Sequence, residues 1–240
     1  MIVRMPHAEI YAQQPAKEWQ WLPYLGAQLS LPIPKVMGRG QPDNGYPFCW
    51  TILSYLKGDT IAAVGNPNDS GLAGDLGTWL ATLRKVPPGD GPRPGPHNFY
   101  RGGDLRIYDR EIRHTLQQLG ASVDQAAILK IWNKACQSTW AAPRVWLHGD
   151  VAVGNFLMAD GKLSAAIDFG SCGIGDPACD LTIAWTFFQG NARDAFRRTV
   201  SLDDATWARA RGWAAWKGCL QVAKGEDAAQ TVIRDLCANI

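Results

Sequence analysis

The chain has 240 residues, 46% of them hydrophobic and 19% charged, which is the composition of an ordinary globular protein rather than a disordered one. Its 24 Lys and Arg against 22 Asp and Glu leave a net charge of +2, too weak a field for a general polyanion binder, so a nucleic-acid partner is not expected. No apolar run approaches the roughly 20 residues that span a bilayer, so no membrane partner is expected either. The first residues, Met1 to Pro6, have neither the basic region nor the apolar stretch of a signal peptide.

In chain order, residues 1–5 are short and β-prone. Ala16 to Leu25 reads as a helix, with Trp19, Leu22 and Leu25 spaced three apart. Pro32 and Pro34 then enforce extended chain. Phe48 to Leu56 is rich in aromatic and β-branched residues and reads as a strand. From Asp69 the period turns helical, with Leu72, Leu76, Trp79, Leu80 and Leu83 on one face and Asp69 or Ser70 as N-cap. Residues 86–98 are Pro/Gly-rich and predict an irregular, exposed loop. Two amphipathic helices follow, one carrying Ile112, Leu116 and Leu119, the other Ile128, Ile131 and Trp132.

Short strands come next at Val145–Leu147, Phe156–Met158 and Leu163–Ile167. The last two flank Asp160-Gly161, a hairpin-turn signal. After Pro177 the pattern is helical again through Leu181, Trp185 and Phe188. Trp213, Trp216 and Leu220 mark a further helix, and Val232 with Leu236 a last one. None of the six cysteines forms a C-x-x-C pair, so a structural zinc site is not expected. Cys219 and Cys237 sit in apolar settings, as reduced thiols of a cytoplasmic protein would.

The chemistry concentrates in residues 148–180. His148-Gly149-Asp150 follows a strand, with Asn155 five residues after Asp150. Asp168-Phe169-Gly170 follows the hairpin, and Gly175-Asp176-Pro177 and Asp180 come after it. A carboxylate in a turn after a strand can be aimed into a cleft to accept a proton from a hydroxyl. An amide oxygen and a second carboxylate are the hard ligands that Mg²⁺ favours, together with phosphate and water. Phosphoryl transfer is mainly positioning and electrostatic stabilisation, so a base and two metal ligands would be its central parts.

This text, Leu147-His148-Gly149-Asp150 to Asn155, then Ile167-Asp168-Phe169-Gly170, then Gly175-Asp176-Pro177-Ala178-Cys179-Asp180-Leu181, resembles the aminoglycoside phosphotransferase family, small-molecule kinases with a protein-kinase-like fold. The resemblance implies an α+β, two-lobe architecture: a truncated β lobe over residues 1–56, and a mainly helical C-terminal lobe over 57–240 holding the catalytic loop. It implies Asp150 as catalytic base, Asn155 and Asp168 as Mg²⁺ ligands, and His148 as a support of the catalytic loop. Asp180 would brace that loop rather than touch substrate, and Asp176 would cap a helix begun by Pro177. Residues 2–6 resemble the family's third strand, which makes Arg4 the phosphate-binding cation in place of a lysine and Glu18 its ion-pair partner. Tyr55 and Leu56 would fall at the hinge that binds adenine. ATP, or alternatively GTP, would be the cosubstrate, and a small-molecule hydroxyl the acceptor.

The pattern departs from the family at its start, because no Gly-rich phosphate loop precedes Arg4. A sheet that begins there would expose an edge, which makes a homodimer an option, and a catalytically silent kinase-like binding protein is the alternative reading. For the acceptor pocket, Asp104, Asp203 and Asp204 are either carboxylates for a cationic acceptor or helix caps. Trp185, Phe187, Phe188, Trp207, Trp213 and Trp216 are either core or pocket wall, and Arg101-Gly102-Gly103 either a turn or part of that wall.

Overall fold

The computed structural model describes residues 1–238. The first part of the chain builds an antiparallel sheet of three strands: β1 (Ile2–Arg4), β2 (Val36–Gly40) and β3 (Trp50–Leu53), in the order β1-β3-β2. Helix α1 (Gln14–Gly26) connects β1 to β2 and packs against this sheet. Its apolar residues Leu22 and Leu25 are buried as the spacing predicts. Its first turns, however, bury Gln14, Lys17 and Glu18, a polar set that hydrophobic periodicity does not pick out.

A two-residue strand, β4 (Asp59–Thr60), leads into the short helix α2 (Ile61–Val64) and the long helix α3 (Ser70–Lys85). Asp69 caps α3, its carboxylate accepting the Gly71 and Leu72 N–H groups at 2.8 and 3.0 Å. The amphipathic helices α4 (Asp109–Leu119) and α5 (Gln125–Ala135) follow, as predicted.

Then come β5 (Val145–Leu147), β6 (Phe156–Ala159) and β7 (Lys162–Ala166). The β6–β7 turn is Asp160-Gly161, with φ of +50° and +72°, the left-handed pair that closes a two-residue hairpin. Strand β6 also pairs with β4, and β5 pairs with β8 (Gly173–Gly175). The remainder is helical: α6 (Ile183–Thr186), α7 (Gly190–Val200), α8 (Asp204–Ala223) and α9 (Asp227–Ala238). The core runs along α3, α5, α7 and α8 and includes Leu76, Trp132, Trp146, Phe196 and Trp213.

Two expectations change. Residues 86–98 are irregular but not simply exposed: Val86, Gly91 and Asn98 are buried. The Pro87 carbonyl accepts from Trp146 and Tyr24, and the Pro92 carbonyl from the Ile174 N–H, so backbone polar groups of the loop are tied into the fold. The helix expected through Leu181, Trp185 and Phe188 is instead a 3₁₀ turn at Pro177–Leu181, the single turn of α6, and a break at Phe187 (φ −145°). The apolar spacing is real, since Leu181 and Phe188 are fully buried. The 3₁₀ turn and the break mean that Leu181 and Phe188 reach the core from separate elements rather than one helix.

Candidate active site

Strand β5 delivers the chain to a sharp turn at Gly149. Its φ is +84°, and a Cβ there would stand 2.1 Å from the Ser171 carbonyl oxygen, so conformation and space both require glycine. Asp180 anchors the turn from below: its carboxylate accepts the His148 N–H at 2.7 Å and the Gly149 N–H at 2.8 Å. Burial raises the Asp180 carboxyl above its ordinary value, opposed by His148 and those two N–H groups. The His148 imidazole is fully buried beside Phe169, ring centroids 4.7 Å apart. Its Nε2 lies 2.9 Å from the Ile167 carbonyl oxygen, which can only accept, so Nε2 carries the proton and Nδ1 accepts the Asp150 N–H at 3.3 Å. His148 thereby links the two segments that carry Asp150 and Asp168.

Asp150 emerges from this turn half-exposed. Its Oδ2 accepts from the Asn155 side-chain amide at 3.0 Å, and the same amide donates to the Asp150 carbonyl at 2.9 Å. Its Oδ1 faces the Lys217 ammonium at 3.2 Å. Burial alone would raise the Asp150 carboxyl. Burial is the largest single influence, but Lys217, His148 and Arg101 act together against it, and the carboxyl is held below the usual range.

Asn155 is hooked to the end of β7 by the Ile167 N–H, which donates to its backbone carbonyl at 2.9 Å. Asp168 follows in a left-handed conformation (φ +62°), which aspartate tolerates better than most residues. Its Oδ1 accepts from Arg4 at 2.7 Å and from the Gly170 N–H at 3.3 Å. Arg4, at the end of β1, also pairs with Glu18 of α1. Glu18 is 1% exposed, and burial pushes its carboxyl up to about 7 against the pull of Arg4. A cavity of about 370 Å³ lies here, lined by Arg4, Glu18, Asp150, Asp168, His7 and Ser171 among others. A larger one, about 1370 Å³ among α5, α7, α8 and α9, is lined by the acceptor candidates Trp185, Asp204 and Trp207 but by none of Asp150, Asn155, Asp168, Arg4 and Glu18.

The donor set suits a hard divalent cation. The Asn155 amide nitrogen is spent on Asp150, which leaves Oδ1 as acceptor, and both hydrogen bonds to the Asp168 carboxylate fall on its Oδ1, which leaves Oδ2. Among the described residues no group of three or more His, Cys, Asp or Glu is placed to hold a metal ion, so these two oxygens would need phosphate and water to complete an octahedron.

Tyr55 and Leu56 follow β3 and do not line this cavity; the Tyr55 side chain is exposed. Asp104 and Asp203 are caps, accepting from the Arg106 and Thr206 N–H groups, and Asp204 pairs with Arg197. Asp176 caps the turn begun by Pro177, accepting the Ala178 N–H at 3.0 Å. It also forms an ion pair with Arg209, buried on both sides, which sequence reading did not foresee. Phe188, Trp207, Trp213 and Trp216 are core, and Trp185 and Phe187 half-buried. Lys217 carries no local signal in the sequence, since it lies 67 residues from Asp150 on the helix marked by Trp213, Trp216 and Leu220. Arg101-Gly102-Gly103, read from sequence as either a turn or part of the acceptor wall, is a turn. At Gly102 φ is +78° and a Cβ would strike Leu147, so the turn that presents Arg101 presses on β5.

A model of the phosphotransferase enzyme family matches residues 1–213. The chain belongs to that family. Among solved structures, the GDP and kanamycin complex of APH(2")-IIia is similar over 99% of this chain and 87% of its own, at 16% identity and a TM-score of 0.74. The GDP complex of wild-type aminoglycoside 2'-phosphotransferase-IIIa is similar over 99% and 86%, at 17% identity and a TM-score of 0.72. Macrolide 2'-phosphotransferase MphH from Brachybacterium faecium, as apoenzyme, is similar over 96% and 83%, at 18% identity and a TM-score of 0.59. No curated protein matches in sequence. At these identities the structural likenesses give the fold. It is the kinase-like α+β fold of the phosphotransferase family, as the sequence led one to expect. Among the described residues no helix is long and apolar enough to cross a membrane.

Proposed function

We propose that this member of the phosphotransferase family is a nucleotide-dependent O-phosphotransferase acting on the hydroxyl of a small molecule. The observation that carries the reading is the Asp150 carboxylate. It is half-exposed, its carboxyl held below the ordinary range, and it is set beside Asn155 and, through His148 and Ile167, beside Asp168. In this reading Asp150 accepts the proton of the acceptor hydroxyl as the new oxygen–phosphorus bond forms and the bond to the leaving nucleoside diphosphate breaks. Asn155 Oδ1 and Asp168 Oδ2 hold Mg²⁺, which when bound neutralises phosphate charge. Arg4, held by Glu18, offers its guanidinium to the phosphates. His148 and Asp180 keep the loop in register. Residues 1–56 form the nucleotide-covering part with Tyr55 and Leu56 at the hinge, and residues 57–240 the acceptor part. ATP is the first cosubstrate to test, with GTP beside it, since two of the similar structures carry GDP.

The test is release of ADP or GDP in the presence of Mg²⁺ and a panel of hydroxylated small molecules, aminoglycosides and macrolides included. Acceptor-dependent release that disappears in Asp150→Asn and Asp168→Asn supports the reading. A second reading, a silent binding protein, is favoured by one observation: an oxygen of Asp168 is already engaged by Arg4. Calorimetry decides between them, because Mg·ATP or Mg·GTP binding that vanishes in Asp168→Ala goes with the enzyme.

A further inference from the structure

The two oxygens of Asp150 face different partners. Oδ2 is tied to Asn155, on the side of the proposed metal, while Oδ1 is met by Lys217 of α8. A hydroxyl that gives its proton to Asp150 therefore enters at Oδ1, beside an ammonium group. Lys217 and Asp150 are both partly open to solvent, with side chains 29% and 38% exposed, so the approach is not sealed.

A second cation stands on the same side. The Arg101 guanidinium lies 5.1 Å from the ring centroids of both Trp213 and Trp216, four and one positions before Lys217 on α8, and its charge is felt at Asp150. Tyr108 stacks on Trp216 at 4.1 Å and extends this aromatic wall. The neighbouring carboxylate, Glu111, accepts the Trp216 indole N–H at 2.7 Å. The acidic residues that would have suited a polycation, Asp104, Asp203 and Asp204, serve as caps or pair with arginines.

Resting on the reading of Asp150 as the base, we propose that the acceptor is a hydroxylated anion, an alcohol with a carboxylate or phosphate near its reacting hydroxyl. Lys217 and Arg101 bind the anionic group, with the Arg101 guanidinium seated on the buried Trp213 and Trp216 rings. When the hydroxyl takes its place at Oδ1, Lys217 loses part of its partner, and an anion on the acceptor restores it. An ammonium on the acceptor would meet two fixed cations instead.

The test is calorimetric binding to the full chain, without nucleotide, of four probes: gluconate, glycerol phosphate, the neutral sorbitol and the cationic glucamine. At least one anion is expected to bind about tenfold tighter than sorbitol, with glucamine weakest. Lys217→Met and, independently, Arg101→Gln should each shrink that margin, and Lys217→Glu should invert the order, with near-ultraviolet dichroism reporting whether each variant is folded. Glucamine binding as well as the anions, no binding of either anion, or a margin that survives in both Lys217→Met and Arg101→Gln would each overturn the proposal. No turnover enters these measurements, so a protein that fails to transfer phosphate refutes the proposed function without touching this result.

Discussion

Asp180 and His148 are 32 residues apart in sequence and joined by a buried hydrogen bond of 2.7 Å, from the His148 backbone N–H to Asp180 Oδ2. The companion bond from Gly149 uses Oδ1, so one carboxylate satisfies two backbone donors that the turn after β5 would otherwise bury unpaired. Asp180→Ala leaves both donors without an acceptor. It should cost about 2–5 kcal/mol, read as a lower urea midpoint with unchanged slope. Asp180→Asn keeps one acceptor oxygen and should cost about half as much.

Gly149→Ala tests the same turn from the backbone. An added Cβ would meet the Ser171 carbonyl at 2.1 Å, so the loop carrying Asp150 must move away from the segment carrying Asp168. Loss of phosphoryl transfer by more than about 100-fold, with a folded circular dichroism spectrum, is the expected outcome.

Asp150→Asn removes the proposed base and should lower the transfer rate by about 10²–10⁴ with little change in nucleotide affinity. Lys217→Met acts on the same carboxylate differently. Lys217 holds the Asp150 carboxyl low, so its loss raises that carboxyl, and the acid limb of the pH–rate profile should move to higher pH. An unmoved limb would show that the group titrating there is not Asp150.

Glu18 gives a pH dependence of stability whose sign is fixed by its direction. Its carboxyl is raised from 4.5 to about 7 in the fold, so between those values the folded chain keeps a proton that the unfolded chain releases. Stability therefore falls as pH rises through that window and levels off above about 7. Glu18→Gln cannot titrate and should flatten this slope in urea unfolding from pH 5 to 8. The ion pair to Arg4 completes over the same window, so nucleotide affinity in the wild type should rise as stability falls.

The Asp176–Arg209 pair is buried, both side chains 5% exposed, and Arg209 also donates to Ser138 and Thr206 hydroxyls. Arg209→Met leaves Asp176 charged and unpaired and should cost about 3–5 kcal/mol. The double change to Asp176→Asn with Arg209→Met should recover part of that loss, as read from thermal unfolding.

Elements that depend on short-range physics were legible in the amino-acid order. Leu72, Leu76, Leu80 and Leu83 mark α3 by period, Asp69 caps it, and Asp160-Gly161 closes the β6–β7 hairpin through left-handed backbone. The ordered text from His148 to Asp180 was legible for the same reason, since each residue there sits in a local turn whose chemistry is written in its neighbours. Long-range encounters were decided only by the tertiary structure. Lys217 reaches Asp150 because α8 lies across the turn after β5, and Arg209 reaches Asp176 by the same packing. The buried polar face of α1, Gln14, Lys17 and Glu18, exists because Arg4 and His97 supply partners from two other segments. Burial of a charge is set by what folds onto it. A period of apolar residues reports which face a helix buries, but not which distant side chain will meet it there.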